Sequence, residues 1–505
     1  MNYNISVTDP ESHFLFIKYT IPDVDSEFIE IQLPAWRPGR YEIQNFAKNI
    51  QFIEAISRSG HKLSLDKITK DRWRIETEGE NEVQVRYSYY AAIQNAGSSY
   101  VDNELWYLNF INFCMYTEGR INEPCTVKLN LPNGFEIACG LPVFWDIVDN
   151  IPTAYTNMLA ASDFYQLVDS PLLASATLQK CEYKVGEIPF SIWMHGNLKP
   201  NWKRIKRDFT RFSREQIATM KDFPETDYHF LNLILPTAFY HGVEHRNSTM
   251  IVLGPDDEGE GLYSDLLGVS SHELFHAWNI IRIRPIELLP YDFTKENYFR
   301  TCFVVEGCTT YYGDLFLKRA GVFNLESYIK ELQVYMKRHF ENSANSSQSL
   351  ADSSFDLWLD GYEKGIPDRK VSVYHKGALV ALILDLYLRK KSNHKNSLDD
   401  VMRLLWLRFG KPFIGYTIQD YIDIVEEVAG ESLDWYWKDC IFTSEPLETR
   451  LNDALAFVGL QMTTFSNGNI QLNVLDDFRA KIQQEKWLET VQETSEDDDD
   501  DEEQA

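Results

Sequence analysis

The chain has 505 residues, a length that predicts two or three domains rather than a single hydrophobic core. Hydrophobic residues make up 44% of the sequence, which argues against a disordered chain. The formal net charge is −27, and eight of the acidic residues lie together at 496–503. Such a charge argues against partners that are nucleic acids or anionic membranes.

Targeting and membrane signals are missing from the sequence. No run of about twenty apolar residues occurs, and residues 1–6 lack the basic and apolar regions of a signal peptide. Seven cysteines, an odd number without paired spacing, favour reduced thiols over a disulfide framework. We therefore predict a cytoplasmic protein.

The first 165 residues are rich in strand-like segments. Segments that alternate or run apolar between turn residues lie at 14–19, 28–33, 83–89 and 126–131. No long helical period interrupts them, so residues 1–165 are predicted to form a β-sandwich-like domain.

Helical patterns dominate from Trp202 onward, after a shorter strand region. The Ser/Asn-rich stretch 342–354 is predicted to be a loop. Residues 451–490 are predicted to be a short extension, and residues 491–505 an acidic disordered tail. Helices are predicted over 202–220, 264–281, 298–319, 325–341, 373–391, 398–409 and 417–429.

The sequence His-Glu-Leu-Phe-His at 272–276 lies within one of these predicted helices. His272 and His276 are four residues apart, so one helix face directs both imidazoles toward a single metal ion. Glu273 lies where a carboxylate takes the proton of metal-bound water. This spacing is typical of zinc peptidases, whereas the simpler alternative is two structural histidines on an ordinary helix.

A zinc site of this kind needs a third protein ligand. Glu306 is the best candidate, because a carboxylate in an apolar run is costly to bury unless it is paired or binds metal. The alternative is a buried ion pair with an arginine. Cys308 is rejected, since position i+2 of a helix faces away from Glu306. Asp314 is conceivable as a residue that orients a zinc-binding histidine.

Two further segments supply candidate substrate contacts. Tyr374 begins a strongly apolar helix, and its hydroxyl could donate a hydrogen bond to the oxyanion that forms during amide hydrolysis. Gly242 and Glu244 lie between two strand-like runs, and Glu244 could bind a substrate ammonium group from an edge strand or its loop. A peptide could then lie beside this segment as an added strand.

The order of these motifs resembles that of the glycyl aminopeptidase family of zinc metallopeptidases, which are gluzincins with a thermolysin-like catalytic domain. The resemblance implies that His272, His276 and Glu306 bind one zinc ion and that Glu273 is the general base. It also implies that Tyr374 stabilises the transition state and that Glu244 binds the free N-terminus. The matching segments are Pro34-Ala-Trp-Arg-Pro-Gly-Arg-Tyr41, residues 242–248, 272–279, 306–312 and 347–355, and Tyr374-His-Lys-Gly377.

Two features depart from the family pattern. The usual member is longer and ends in a PDZ-like domain, for which the residues after Pro446 are too few. His241 also stands where related motifs carry glycine.

The fold that follows is a multidomain α+β protein. It combines a β-sandwich-like N-terminal domain over 1–165 with a thermolysin-like zinc peptidase domain and helical C-terminal part over 166–450. The predicted function is removal of small N-terminal residues, such as glycine or alanine, from peptides. The alternatives are a zinc endopeptidase and a catalytically silent zinc-containing peptide-binding protein, and cobalt or manganese could replace zinc.

Overall fold

The computed structural model describes residues 1–148, 151–256, 260–363, 365–367, 369–465 and 469–491. The predicted disordered tail lies outside these residues, except for position 491. The chain divides into two compact units. Unit 1 comprises Met1–Pro200, Glu225–Leu266 and Tyr291–Glu296, and unit 2 comprises Asn201–Pro224, Leu267–Pro290 and the described residues from Asn297 onward.

Unit 1 contains the strands of the N-terminal region, and the four predicted strand segments are confirmed. The described strands of the whole chain are β1 Asn2–Ser6, β2 Phe14–Pro22, β3 Phe28–Gln32, β4 Ile50–Ser57, β5 Lys62–Leu63, β6 Leu65–Lys67, β7 Arg72–Glu76, β8 Glu82–Tyr90, β9 Tyr100–Val101, β10 Trp106–Leu108, β11 Tyr116–Thr117, β12 Cys125–Leu129, β13 Glu136–Cys139, β14 Val143–Val148, β15 Ile151–Ala161, β16 Leu172–Ser175, β17 Gln179–Val185, β18 Ile188–His195, β19 Tyr228–Ile234, β20 Phe239–Glu244, β21 Ser248–Gly254, β22 Leu460–Thr464 and β23 Ile470–Val474.

Two sheets of unit 1 face each other across a core rich in tyrosine. The larger has the order β14-β15-β12-β1-β2-β8-β4-β5 and the smaller the order β11-β3-β7-β6. Tyr3 and Tyr19 point from the larger sheet and stack with ring centroids 4.7 Å apart. The Tyr19 hydroxyl reaches Thr117 Oγ1 on β11 at 2.8 Å, so this buried polar group has a partner. The predicted β-sandwich-like domain is confirmed.

A third sheet of unit 1 has the order β17-β18-β19-β21-β20. Its inner strands are almost continuously apolar, as expected where both faces are covered. Strand β20 lies at the edge of this sheet and pairs antiparallel with β21, with Gly242 opposite Ile251 and Glu244 opposite Thr249. The predicted edge-strand position of Glu244 is therefore confirmed.

Unit 2 is mainly helical, and most predicted helices are confirmed to within a few residues. The described α-helices of the whole chain are α1 Phe164–Val168, α2 Trp202–Met220, α3 Glu260–Phe275, α4 Thr309–Arg319, α5 Leu325–Phe340, α6 Leu350–Phe355, α7 Leu357–Asp360, α8 His375–Ser392, α9 Leu398–Leu405, α10 Ile418–Ala429, α11 Asp434–Tyr436, α12 Glu448–Phe457 and α13 Phe478–Trp487. No helix among the described residues is long and apolar enough to cross a membrane.

Three predictions of secondary structure are wrong: two helix boundaries and one loop. The helix predicted over 264–281 begins at Glu260 and ends at Phe275, after which His276 Nδ1 lies 2.8 Å from the Asn279 carbonyl oxygen. The helix predicted over 298–319 starts later, as a π-helical segment, Phe303–Cys308, that continues into α4. The stretch 342–354, predicted to be a loop, contains the 3-10 segment Ser343–Ser346 and most of α6, which the Ser349 side chain caps.

Candidate active site

Helix α3 carries the first of the two predicted metal-binding histidines, and the second follows its last residue. The Nε2 atoms of His272 and His276 lie 3.1 Å apart. The His276 side chain is buried, whereas one fifth of the His272 side chain is exposed. Both rings therefore direct Nε2 toward the same point, as the spacing of four residues predicts.

Glu306 lies in the π-helical segment Phe303–Cys308 and is buried. Its Oε2 atom lies 3.7 Å from His272 Nε2 and 3.4 Å from His276 Nε2. A π-helical turn inside a longer helix commonly occurs at functional sites, because it shifts side chains around the helix axis. The carboxylate pairs with the two imidazoles, so the alternative of an arginine partner is wrong.

The separations of these three atoms fit a single zinc ion. Bonds of about 2.0–2.1 Å in a tetrahedral arrangement place neighbouring ligand atoms roughly 3.3 Å apart. The three distances here are 3.1, 3.4 and 3.7 Å. Two imidazole nitrogens and one carboxylate oxygen are also the donor types of catalytic zinc sites, which keep one position open.

Electrostatics favour the protonation states that bind metal. Burial lowers the pKa of His272, so its neutral form is favoured. Burial alone would raise the pKa of Glu306, but the two neighbouring imidazoles outweigh it and hold this pKa below its ordinary value. A neutral imidazole and an ionised carboxylate are the forms that coordinate zinc.

The backbone after α3 fixes the orientation of His276. Its Nδ1 lies 2.8 Å from the Asn279 carbonyl oxygen, which accepts a hydrogen bond from Nδ1–H. The Nε2 lone pair is then available to bind a metal ion. The Asn279 amide in turn donates to the carbonyl oxygens of Val304 and Val305 and to Thr309 Oγ1, at 2.9–3.0 Å. Asn279 thus ties the histidine segment to the helix that carries Glu306. Sequence reasoning missed this residue.

Gly313 allows α4 to approach α3 closely at His272. A Cβ atom on Gly313 would lie 3.2 Å from the His272 Cβ and 3.3 Å from its Cα. The Ser271 hydroxyl donates to the Gly313 carbonyl at 2.7 Å, and Gln216 donates to Ser271. The two helices are therefore held in register beside the histidine.

Asp314 does not orient either histidine. Among the described hydrogen bonds, its carboxylate accepts from the Tyr335 hydroxyl instead. Burial raises the pKa of Asp314 to about 7, although the hydrogen bond from Tyr335 lowers it in part. The conceivable role in orienting a metal ligand is therefore not supported.

Glu273 lies close to His276, one of the three metal-binding candidates. It is buried, with 5% of its surface exposed. One carboxylate oxygen of Glu273 lies within 4.8 Å of a His276 ring nitrogen. A carboxylate at this position can exchange protons with a molecule held between the histidines.

Helix α8, which Tyr374 precedes, packs directly on the segment that carries Glu306. A Cβ on Gly377 would lie 2.6 Å from the Gly307 Cα, and a Cβ on Gly307 would lie 2.5 Å from the Gly377 Cα. The two backbones can approach this closely because both residues are glycines. The contact brings Gly377, in the first turn of α8, against the residue that follows Glu306, and Tyr374 lies three residues before Gly377.

The segment 347–355 supports both Tyr374 and Glu306. The Gln348 side chain accepts a hydrogen bond from the Val371 amide, and the Ser353 hydroxyl donates to the Val371 carbonyl, three residues before Tyr374. The Ser354 hydroxyl accepts from the Phe303 amide at 3.3 Å, at the start of the π-helical segment. These polar side chains therefore connect the segment 347–355 to the residues before Tyr374 and to the start of the π-helical segment.

Glu244 is buried on β20 of unit 1, close to the motif around Pro34–Tyr41. Gly39 has a φ of +74°, which favours glycine, and a Cβ there would lie 2.8 Å from Glu244 Oε2, so the two residues are neighbours. His241 lies on the same strand without a positive φ, and its Nδ1 accepts from the Ala96 amide at 3.3 Å. The strand therefore accommodates a histidine where related motifs carry glycine.

Two family models match the chain. The Peptidase M61 N-terminal domain matches residues 2–176, and M61 glycyl aminopeptidase matches residues 265–380. The aminopeptidase N family protein from Idiomarina loihiensis is 30% identical, with 92% of this chain and 79% of that chain covered and a TM-score of 0.85. The chain belongs to the M61 glycyl aminopeptidase family. It is a peptidase, and the predicted family and enzyme class are confirmed.

More distant solved structures share the fold. The M1 zinc metallopeptidase from Deinococcus radiodurans is 12% identical, with 88% of this chain and 94% of that chain covered and a TM-score of 0.53. A mutant of that enzyme bound to a Tyr-Ser-Ala substrate aligns with a TM-score of 0.54 at 12% identity. No curated protein matches the chain. The predicted fold, a β-rich N-terminal part followed by a zinc aminopeptidase-like core, is confirmed.

Proposed function

We propose that this member of the family is a zinc-dependent aminopeptidase, with His272, His276 and Glu306 as the ligands of one zinc ion. The observation that carries the proposal is the approach of three ligand atoms to within 3.1–3.7 Å of one another, in a buried setting. At these distances the lone pairs of the two imidazole nitrogens and the carboxylate oxygen repel one another unless a cation or a proton lies between them.

Glu273 is the proposed general base. When bound, zinc supplies a Lewis acid that lowers the pKa of water and polarises the peptide carbonyl. The Glu273 carboxylate accepts the proton that the attacking water loses and delivers it to the leaving amine. Its burial removes competing bulk water from this transfer.

Tyr374 is the proposed donor to the developing oxyanion. The contact between Gly307 and Gly377 supports this proposal, because it fixes α8, the helix that follows Tyr374, against the segment that carries Glu306. A hydrogen bond that forms only as negative charge develops on oxygen lowers the barrier without tightening substrate binding.

Glu244 is proposed to bind the ammonium group of the substrate, with the edge strand at Gly242 pairing with the peptide backbone. The edge position of β20 supports this proposal, because an edge strand offers unpaired backbone groups to an extended peptide. We propose small N-terminal residues, such as glycine or alanine, as the preferred substrates, in line with the family description.

Cleavage of matched peptides tests the proposal. Purified, zinc-loaded protein should hydrolyse alanyl and glycyl peptides with a free amino terminus and leave the acetylated forms intact. Cleavage of the acetylated peptides would indicate an endopeptidase and remove the role given to Glu244. Bound zinc without cleavage of any peptide in a broad library would indicate a binding protein.

A further inference from the structure

Tyr374 lines a cavity of about 500 Å³ in unit 2 that the proposed chemistry does not use. Its other walls come from the end of α5, from α7 and the residues that follow it, and from the segment that leads into α8. We call it the Lys370 cavity. A volume of this size accommodates part of a small ligand or the last residues of a short peptide.

The acidic side chains in the wall already have cationic partners. Arg369 lies 2.8 Å from Asp356 and also forms an ion pair with Asp360. Glu341 lies 3.8 Å from Lys337, on the same helix. The negative charge of the wall is therefore compensated within the protein.

Two cationic side chains of the wall have no carboxylate partner among the described residues. The Lys370 Nζ is buried and has no acceptor within hydrogen-bond distance. A Cβ on Gly361, another residue of the wall, would lie 3.2 Å from this nitrogen. Arg338 Nη1 lies 3.3 Å from His375 Nε2, a neutral acceptor, because burial lowers the His375 pKa to about 4.

A buried ammonium group without an acceptor costs free energy, and a site retains it where a ligand supplies the missing acceptor. Burial lowers the pKa of Lys370, and a carboxylate small enough for the cavity would supply the missing acceptor and stabilise the charged form of this side chain. Tyr374, the proposed oxyanion donor, lines the same cavity, so a peptide whose reacting carbonyl lies at Tyr374 has the cavity next to its cleaved bond.

We propose that the Lys370 cavity binds the α-carboxylate of a short peptide substrate, with Lys370 and Arg338 as the donors. This inference rests on the proposed aminopeptidase function and narrows its substrates to peptides of two or three residues with a free carboxyl end. An acidic side chain of the peptide near the cleaved bond would offer the same carboxylate group. The test therefore separates binding of the α-carboxylate from binding of a side-chain carboxylate.

The test compares Ala-Ala-Ala with its C-terminal amide. Wild-type protein should favour the acid by roughly tenfold in kcat/KM, the effect of one charged hydrogen bond. Lys370→Met should remove this preference by raising KM for the acid, with the amide unchanged, whereas Lys370→Arg should retain most of it. Lys330→Met, which removes an exposed charge from α5 away from the cavity, is the matched control.

Equal rates for acid and amide in the wild type would overturn the proposal. A second outcome would also overturn it: the wild type prefers a peptide amide with an internal aspartate over the same peptide with asparagine, and Lys370→Met removes that preference. The cavity would then bind an acidic side chain rather than the α-carboxylate. Calorimetric binding of Ala-Ala-Ala and its amide to Glu273→Gln keeps the test independent of turnover. If no peptide is cleaved, the proposed function fails, and tighter binding of the acid still supports the cavity assignment.

Discussion

Gly377→Ala perturbs the backbone contact between α8 and the segment that carries Glu306. The new Cβ would lie 2.6 Å from the Gly307 Cα, whereas ordinary contacts begin at 3.4 Å, so the two backbones must separate by about 0.8 Å. Neither atom belongs to a flexible side chain, and overpacking of this kind costs about 1–3 kcal/mol. A displacement near 1 Å in a catalytic site lowers kcat by roughly 100-fold.

The assay combines three measurements on Gly377→Ala. The melting temperature reports the packing cost, competition with a chelator reports zinc affinity, and kcat for an alanyl peptide reports the geometry of the site. Gly261→Ala is the matched control, because a Cβ there meets no atom within 4 Å and the residue is also helical. Wild-type kcat and zinc affinity in a folded Gly377→Ala protein would refute the idea that this contact positions the site.

Three further predictions concern single side chains. Glu273→Gln should lower kcat by at least about 100-fold while zinc content stays at the wild-type level, and activity that survives would refute the assigned base. Ser354→Ala leaves the buried Phe303 amide without its side-chain acceptor, so urea unfolding should show a loss of roughly 1–2 kcal/mol; an unchanged midpoint would contradict the supporting role of segment 347–355. Asp314 has a pKa of about 7 in the folded protein against an ordinary 3.8, so the folded state binds the extra proton and stability should fall as pH rises from about 4 to 7. Asp314→Asn should flatten this part of the stability profile and raise the melting temperature at pH 8. The free energy of unfolding at that pH should rise by up to roughly 4 kcal/mol, and an unaltered profile would contradict this assignment of the proton to Asp314.

The metal-binding candidates were predictable because the chemistry imposes a local spacing. His272 and His276 need one helical turn between them, and a buried carboxylate such as Glu306 needs a cation. The early strands were equally predictable, because alternation along β2 and β8 depends only on which face is buried.

Features that depend on distant partners were not predictable. Helix α3 ends at Phe275, and the backbone that follows brings the Asn279 carbonyl oxygen to His276 Nδ1, a contact that the apolar pattern up to Ile281 does not reveal. Asn279 was missed, although a fully buried asparagine within an apolar run is a signal for a structural hydrogen bond. The contacts of segment 347–355 with Val371 and Phe303 likewise require the tertiary fold.

Anomalous X-ray scattering at the zinc edge, from crystals of the zinc-loaded protein, tests the central claim most directly. We predict one strong peak within about 2.0–2.2 Å of His272 Nε2, His276 Nε2 and a Glu306 carboxylate oxygen. The peak should be lost in Glu306→Gln crystals and retained in Glu273→Gln crystals. A peak elsewhere, or one that persists without the Glu306 carboxylate, would contradict the account.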